Sequence, residues 1–216
     1  MSMPILWSFR RCPYAMRGRM ALYAAGVTCE LREIQLSRKP DAFLDTSPTG
    51  TVPVLAFADG TIIEESLEVM IWALGQHDPY GWRDGPEVET DALIAENDGQ
   101  FKHHLDRYKY PSRYEGVDSD KHFSDAIGIL SNWNLRIEAN GGGLVDAAPR
   151  LADIAIFPFV RQFVSVNRAR VEDQNVPHLL TWLERHVASE TFTAIMQKHA
   201  LWDGGTGAVV FSDHAA

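Results

Sequence analysis

Residues 78–86, DPYGWRDGP, hold two prolines and two glycines and divide the chain into stretches of different pattern. Proline cannot continue a helix or a central strand, and glycine admits left-handed turns, so no regular element runs through such a segment. Before it, short apolar runs alternate with helical periodicity. Residues 4–9 (PILWSF) read as a buried strand. A helix opens at Cys12-Pro13, since proline suits a first helical position where its missing N–H costs nothing. Met16, Met20, Tyr23 and Val27 recur along one side of it and Gly26 ends it. Residues 31–36 are a second strand candidate, and Ser37-Arg38-Lys39-Pro40 and then a short helix follow. Residues 52–57 and 61–64 flank Ala58-Asp59-Gly60, a hairpin signature, and Ser66 is expected to cap a helix bearing Leu67, Met70, Ile71 and Leu74. After the divide only helical patterns remain, over residues 87–108, 121–139, 151–167, 178–189 and 191–198. The expectation is an α/β domain over residues 1–77, a linker over 78–86 and an all-α domain over 87–216.

Charge narrows the function. Lys and Arg total 20 against 29 Asp and Glu, a net charge of −9. Nucleic acid requires a basic stripe to displace counterions from phosphates, and an anionic membrane surface requires basic clusters, so both are excluded as expected partners. Two cysteines, Cys12 and Cys29, are too few for a secreted disulfide framework. No leader-like N-terminus and no apolar run of spanning length is visible, which predicts a cytoplasmic protein.

Cys12 is the sharpest chemical signal. It sits where a strand hands over to a helix, and a helix N-terminus favours thiolate over thiol. Arg10, Arg11, Arg17 and Arg19 crowd the same stretch of an otherwise acidic chain. A small buried apolar residue is the bland alternative for any cysteine, and Cys29, with none of these features, is assigned to the core. The position three after Cys12 is Ala15, so disulfide chemistry here has no internal resolving thiol and must borrow an external one. Val52-Pro53 places proline at the start of an apolar strand. A cis bond there would turn the Val52 backbone outward toward an extended ligand; an edge-strand proline is the alternative. Glu64-Glu65-Ser66 lies at a strand-to-helix junction. The helix start and the Ser66 hydroxyl suit a carboxylate and Glu65 suits an ammonium, matching the α-amino-acid end of a γ-glutamyl group; a plain N-cap with acidic neighbours is the alternative.

Together, Cys12-Pro13-Tyr14-Ala15, Lys39-Pro40, Val52-Pro53 and Glu65-Ser66 resemble the glutathione site of cysteine-type glutathione transferases, closest in pattern to the omega class. The resemblance implies a thioredoxin-like N-terminal domain followed by a helical C-terminal domain, with glutathione as co-substrate between them. It implies Cys12 as the nucleophile that forms a mixed disulfide with glutathione. Lys39 would contact the glycine or cysteinyl backbone side, Val52 and Pro53 the cysteinyl backbone, and Glu65 and Ser66 the γ-glutamyl group. Residues 151–158 (LADIAIFP) are similar to the family's buried folding helix, but Arg150 stands where the family usually has the Ser or Thr of a capping box. Relatives are often homodimers, so a second copy is a possible partner. The expected reaction is glutathione-dependent thiol transfer or reduction. Conjugation of glutathione to electrophiles, with Tyr14 or less favourably Ser8 as hydroxyl donor, and a non-enzymatic interaction module are the alternatives.

The remaining features are weaker. Phe9, Tyr14, Tyr108 and Trp202 are assigned to a second-substrate pocket, with Trp202 closing over the site. His103 and His104 with Asp106 look like a fragment of a metal site, yet neighbouring histidines face different ways on a helix and no third ligand follows at a useful spacing. No metal is therefore expected. Gly141-Gly142-Gly143 lacks the context of a phosphate loop and is read as a turn.

Overall fold

The computed structural model describes residues 3–205 and 209–211. In chain order the elements are β1 (Ile5–Ser8), α1 (Pro13–Ala24), β2 (Cys29–Glu33), α2 (Asp41–Thr46), β3 (Val54–Ala56), β4 (Ile62–Ile63) and α3 (Ser66–Gln76). Then come α4 (Glu87–Glu96), α5 (Lys102–Lys109), α6 (Ser119–Ala139), α7 (Leu151–Val164), α8 (Arg168–Glu172), α9 (Pro177–Val187), α10 (Glu190–Ile195) and β5 (Val209–Phe211). They fall into two compact units, residues 1–80 with 189–216, and residues 81–188.

The first unit is built on a five-stranded sheet in the order β4-β3-β1-β2-β5. Strand β1 pairs parallel with β2 and antiparallel with β3, which places Leu6 opposite both Leu31 and Leu55. All three are buried. Helix α1 packs against α3 and α10. It is buried along nearly its whole length, which explains its lack of a clean polar stripe. Gly18 makes one close approach possible: a Cβ there would lie 3.2 Å from Val69 Cγ1 and 3.3 Å from Pro53 Cγ. Gly26, at φ 67°, turns the chain out of α1 as expected. The Asp59-Gly60 hairpin also forms, with Asp59 Oδ1 accepting from the Thr61 N–H at 2.9 Å.

Two expectations need correcting here. The all-α reading of residues 87–216 fails at its C-terminal end, because residues 189 onward belong to the first unit. There β5 pairs antiparallel with β2, Cys29 opposite Phe211 and Leu31 opposite Val209. Three residues are too few to show strand alternation in the sequence; the open edge of β2 supplies the partner that makes them a strand. Ser66 is the first helical residue of α3 rather than its cap, and Glu65 occupies the N-cap position.

The second unit is helical. The expected helix over residues 87–108 is two helices, α4 and α5, joined by a five-residue π-helical stretch, Asn97–Phe101. Helix α6 starts at an Asp118 cap that accepts from the Asp120 and Lys121 N–H groups. Helix α7 is almost entirely buried, and its N-terminus is held by Asp153. Asp153 Oδ2 accepts from the Arg150 N–H at 2.8 Å; Oδ1 accepts from the Leu144 N–H at 2.9 Å and from Trp182 Nε1 at 2.8 Å. A guanidinium has no acceptor, so Arg150 cannot return the reciprocal half of a capping box. It instead donates to Asp146 through Nε and Nη2 at 3.0 and 2.7 Å, and to the Gly81 carbonyl at 2.7 Å. The missing serine or threonine is thus replaced by a tie between α7 and the loops before it. Among the described residues no helix is long and apolar enough to cross a membrane.

Candidate active site

Cys12 lies in the turn between β1 and α1. Its N–H donates to the Phe9 carbonyl at 3.0 Å and its own carbonyl accepts from Met16 N at 2.9 Å, which opens the helix. The thiol is partly exposed and donates to the Val52 carbonyl at 3.8 Å. Val52–Pro53 is cis. Val52 belongs to an apolar cluster with Trp7, Ala15, Ile34, Phe43 and Val54, against which Cys12, Phe9 and Trp202 pack. Cys29, by contrast, is fully buried in β2, and desolvation pushes its thiol up to about 12.

The arginines do not form the exposed cluster that their spacing suggests. Arg17 and Arg19 are buried, at 0% and 1% exposure. Arg19 donates to Ser8 Oγ and to the Arg10 carbonyl, both at 2.6 Å, and so holds the turn that presents Cys12. Burial lowers its pKa to about 10, with Glu33 and then Cys12 opposing that shift by their negative charge. Ser8 is fully buried, and its hydroxyl oxygen accepts from Arg19. Arg17 donates to Ser66 Oγ at 3.5 Å and lies over the Tyr14 ring at 5.3 Å. Its place beside the start of α3 was not legible from spacing, because Arg17 and Ser66 are 49 positions apart. Arg11 is exposed and lies over the Phe9 ring, and the Arg10 backbone N–H donates to Glu33 Oε1 at 2.6 Å.

Glu64 and Glu65 separate in role. Glu64 accepts from Ser47 Oγ at 2.7 Å and Thr49 Oγ1 at 3.0 Å, and the Ser47 bond leads the causes that hold its carboxyl below the ordinary range. It braces the loop that carries Val52. Glu65 stays exposed at the head of α3 beside the buried Ser66. Lys39 is exposed, and a Cβ on Gly50 would come within 3.4 Å of its Nζ, which places the ammonium beside the same loop. Lys39 also lines a cleft of about 550 Å³ with Ile34, Gln35, Pro40, Leu201 and Trp202. Trp202 packs edge-on against Trp7 at 5.0 Å, with Arg32 over both rings. One unit thus holds Cys12, Val52, Pro53, Glu65, Ser66, Lys39 and Trp202, with Cys12 and Trp202 packed on the cluster that includes Val52.

Residues 6–83 match the model of the N-terminal domain of glutathione S-transferases. A probable glutathione transferase of Aplysia californica is 32% identical over 95 residues, 44% of this chain and 97% of that protein. The chain belongs to the glutathione transferase family. Mouse glutathione S-transferase omega-1 is 40% identical over 62 residues, which take in 29% of this chain and only 26% of the mouse protein. The solved glutathione transferase Omega 3C of Trametes versicolor shares the fold at a TM-score of 0.74 and 20% identity, covering 93% of this chain and 92% of that one.

Within this transferase-family fold, Tyr108 belongs to the second unit. Tyr108 is 8% exposed in the helical unit, its ring 5.1 Å from both Phe123 and Phe163. It packs in an aromatic cluster with these two rings. The sequence shows a one-sided stripe at Tyr108; only packing reveals which side faces in.

Proposed function

We propose that this glutathione transferase family member carries out glutathione-dependent thiol transfer with Cys12 as nucleophile. The observation that carries the reading is a partly exposed Cys12 thiol at the head of α1, with Ala15 where a second thiol would have to stand. In a mixed disulfide R–S–SG, the Cys12 thiolate attacks the glutathione sulfur. The S–S bond of the substrate breaks, RS⁻ leaves and takes a proton, and Cys12 holds glutathione as a mixed disulfide. A second glutathione thiolate then attacks the glutathione sulfur, giving glutathione disulfide and returning the Cys12 thiolate. The N–H groups at the head of α1 favour the sulfur anion, and Arg19 keeps the turn in place.

Glutathione binding is assigned to the same unit. Val52 pairs with the cysteinyl backbone, and Lys39 takes the glycine or cysteinyl side. Ser66, backed by Arg17, takes the γ-glutamyl carboxylate, and exposed Glu65 takes the ammonium. The burial of Ser8 favours cysteine chemistry over conjugation through that hydroxyl. The test is to assay a glutathione mixed disulfide and an aromatic halide side by side. Cys12→Ser should abolish disulfide turnover, because a hydroxyl stays protonated at neutral pH, while Cys29→Ala should leave it largely intact. Full turnover of the mixed disulfide by Cys12→Ser would overturn the mechanism.

A further inference from the structure

Helices α5 and α6 bring three imidazoles that the proposed chemistry does not use to one point on the helical unit. His103 and His104 come from α5 and His122 from α6, and one ring nitrogen of each lies within 4.8 Å of the other two. The rings stand at 44–81° to one another with centroids 5.1–5.5 Å apart, so they converge rather than stack in a column. His104 Nδ1 is 2.8 Å from His122 Nδ1. Two ring nitrogens that close must have either a proton or a cation between them, since two lone pairs repel. A carboxylate completes the group: Asp125 Oδ2, one turn along α6 from His122, is 3.7 Å from His104 Nδ1.

We propose that His103, His104 and His122, with Asp125 as fourth ligand, form a binding site for a divalent metal ion of the zinc class that ties α5 to α6. Three imidazoles and one carboxylate suit zinc, cobalt, nickel or copper, whereas magnesium and calcium call for oxygen donors. With zinc–nitrogen bonds of about 2.0–2.1 Å in a tetrahedron, two ligand nitrogens stand about 3.3 Å apart. The His104–His122 pair must therefore open by only a few tenths of an ångström. His103 is exposed and closes the site by a ring rotation. Burial, foremost, together with neighbouring positive charge, holds His104 and His122 below the ordinary imidazole range, and this keeps them in the neutral form a metal requires.

Two cations compete with the metal. Arg107 Nη1 is 3.0 Å from His103 Nδ1, and its guanidinium also lies over the Tyr114 ring at 4.4 Å, where it can remain when the histidine turns away. Lys121 holds Asp125 at 2.6 Å and is itself exposed, so it can give way to solvent. The pair His103-His104 looked incomplete in the sequence because the third ligand stands 18 positions after His104, on a different helix.

The test is calorimetric titration of the full chain, stripped with chelator, using zinc chloride alone. One ion per chain is expected, bound at least about tenfold more weakly after His104→Gln or His122→Gln. His178→Gln, at an exposed histidine of α9, should change nothing, and melts without metal check that each variant is folded. Cobalt(II) chloride gives a second readout: four-coordinate absorption without a thiolate-to-cobalt charge-transfer band. Zinc binding as tight in the His104→Gln and His122→Gln proteins as in the unaltered chain, binding that carries the thiolate band and so runs through Cys12, or no binding at all would each overturn the proposal.

Discussion

The Arg19 guanidinium spends two short hydrogen bonds on Ser8 and the Arg10 carbonyl, and the carboxylate of Glu33 lies near enough to raise its pKa. A cation so deeply buried persists only where such partners replace its water. Its neighbour Glu33 pairs with the Arg10 N–H, yet burial still raises its carboxyl above the ordinary range. Charge next to Cys12 is thus structural first: it holds the turn, and the turn presents the thiol. At the other end of the site, the exposed Glu65 and the buried Ser66 carry the γ-glutamyl assignment. Each charge-assisted bond is worth about 1.5–3 kcal/mol, so Glu65→Ala or Ser66→Ala should weaken glutathione binding on the order of tenfold or more. Calorimetric titration with glutathione measures this, and unchanged affinity in both variants would remove the assignment.

At the scale of elements, one carboxylate and one open strand edge matter most. Asp153 accepts three hydrogen bonds from Arg150, Leu144 and Trp182, and so joins α7 to the loop before it and to α9. Asp153→Asn keeps the shape but turns an N–H₂ toward a donor; urea unfolding should show a loss of about 1–3 kcal/mol, and Asp153→Ala a larger one. On the sheet, β5 covers β2, with the largely exposed Val210 opposite Glu30. The Glu30 N–H donates to the Pro4 carbonyl, so Cys29 and Leu31 are the residues that face β5; Val209→Pro, opposite Leu31, removes a ladder donor and should cost up to about 3 kcal/mol locally, without unfolding the sheet. Amide exchange would show it as faster exchange at Cys29 and Leu31, with Glu30, β1 and β3 protected as before.

Over the whole molecule, the chain leaves the sheet unit after Tyr80, builds a helical unit, and returns to the sheet unit at Ser189. Two passages of chain link the units, so unfolding of one pulls on both ends of the other. Acid should find the helical unit through His186, whose ring stacks on Phe157 at 5.0 Å and whose pKa burial lowers from 6.5 to about 3. In that window the unfolded chain binds the proton and the folded one does not, so stability falls as pH drops below about 6.5. Between pH 7 and pH 5 this one residue should contribute a loss of about 2 kcal/mol. Urea midpoints at the two pH values give the slope, and His186→Phe, which keeps an aromatic ring against Phe157, should flatten it.

What the amino-acid sequence determines by itself is local. Cys12-Pro13 starts a helix, Asp59-Gly60 turns a hairpin, 78–86 breaks the chain, and apolar periodicity marks α6 and α7; each rests on neighbours within a turn or two. Cys12 at the head of α1 was legible for the same reason, whereas Ser66, expected as a cap, stands one residue inside α3. Tertiary structure decided the rest. It put Arg17 and Arg19 inside rather than around the thiol, turned Tyr108 into the core, sent β5 back to the edge of β2 and set His122 against His104. In each case the deciding partner lies far along the chain, and burial, hydrogen bonding and strand pairing act on distance in space, which spacing in sequence does not encode.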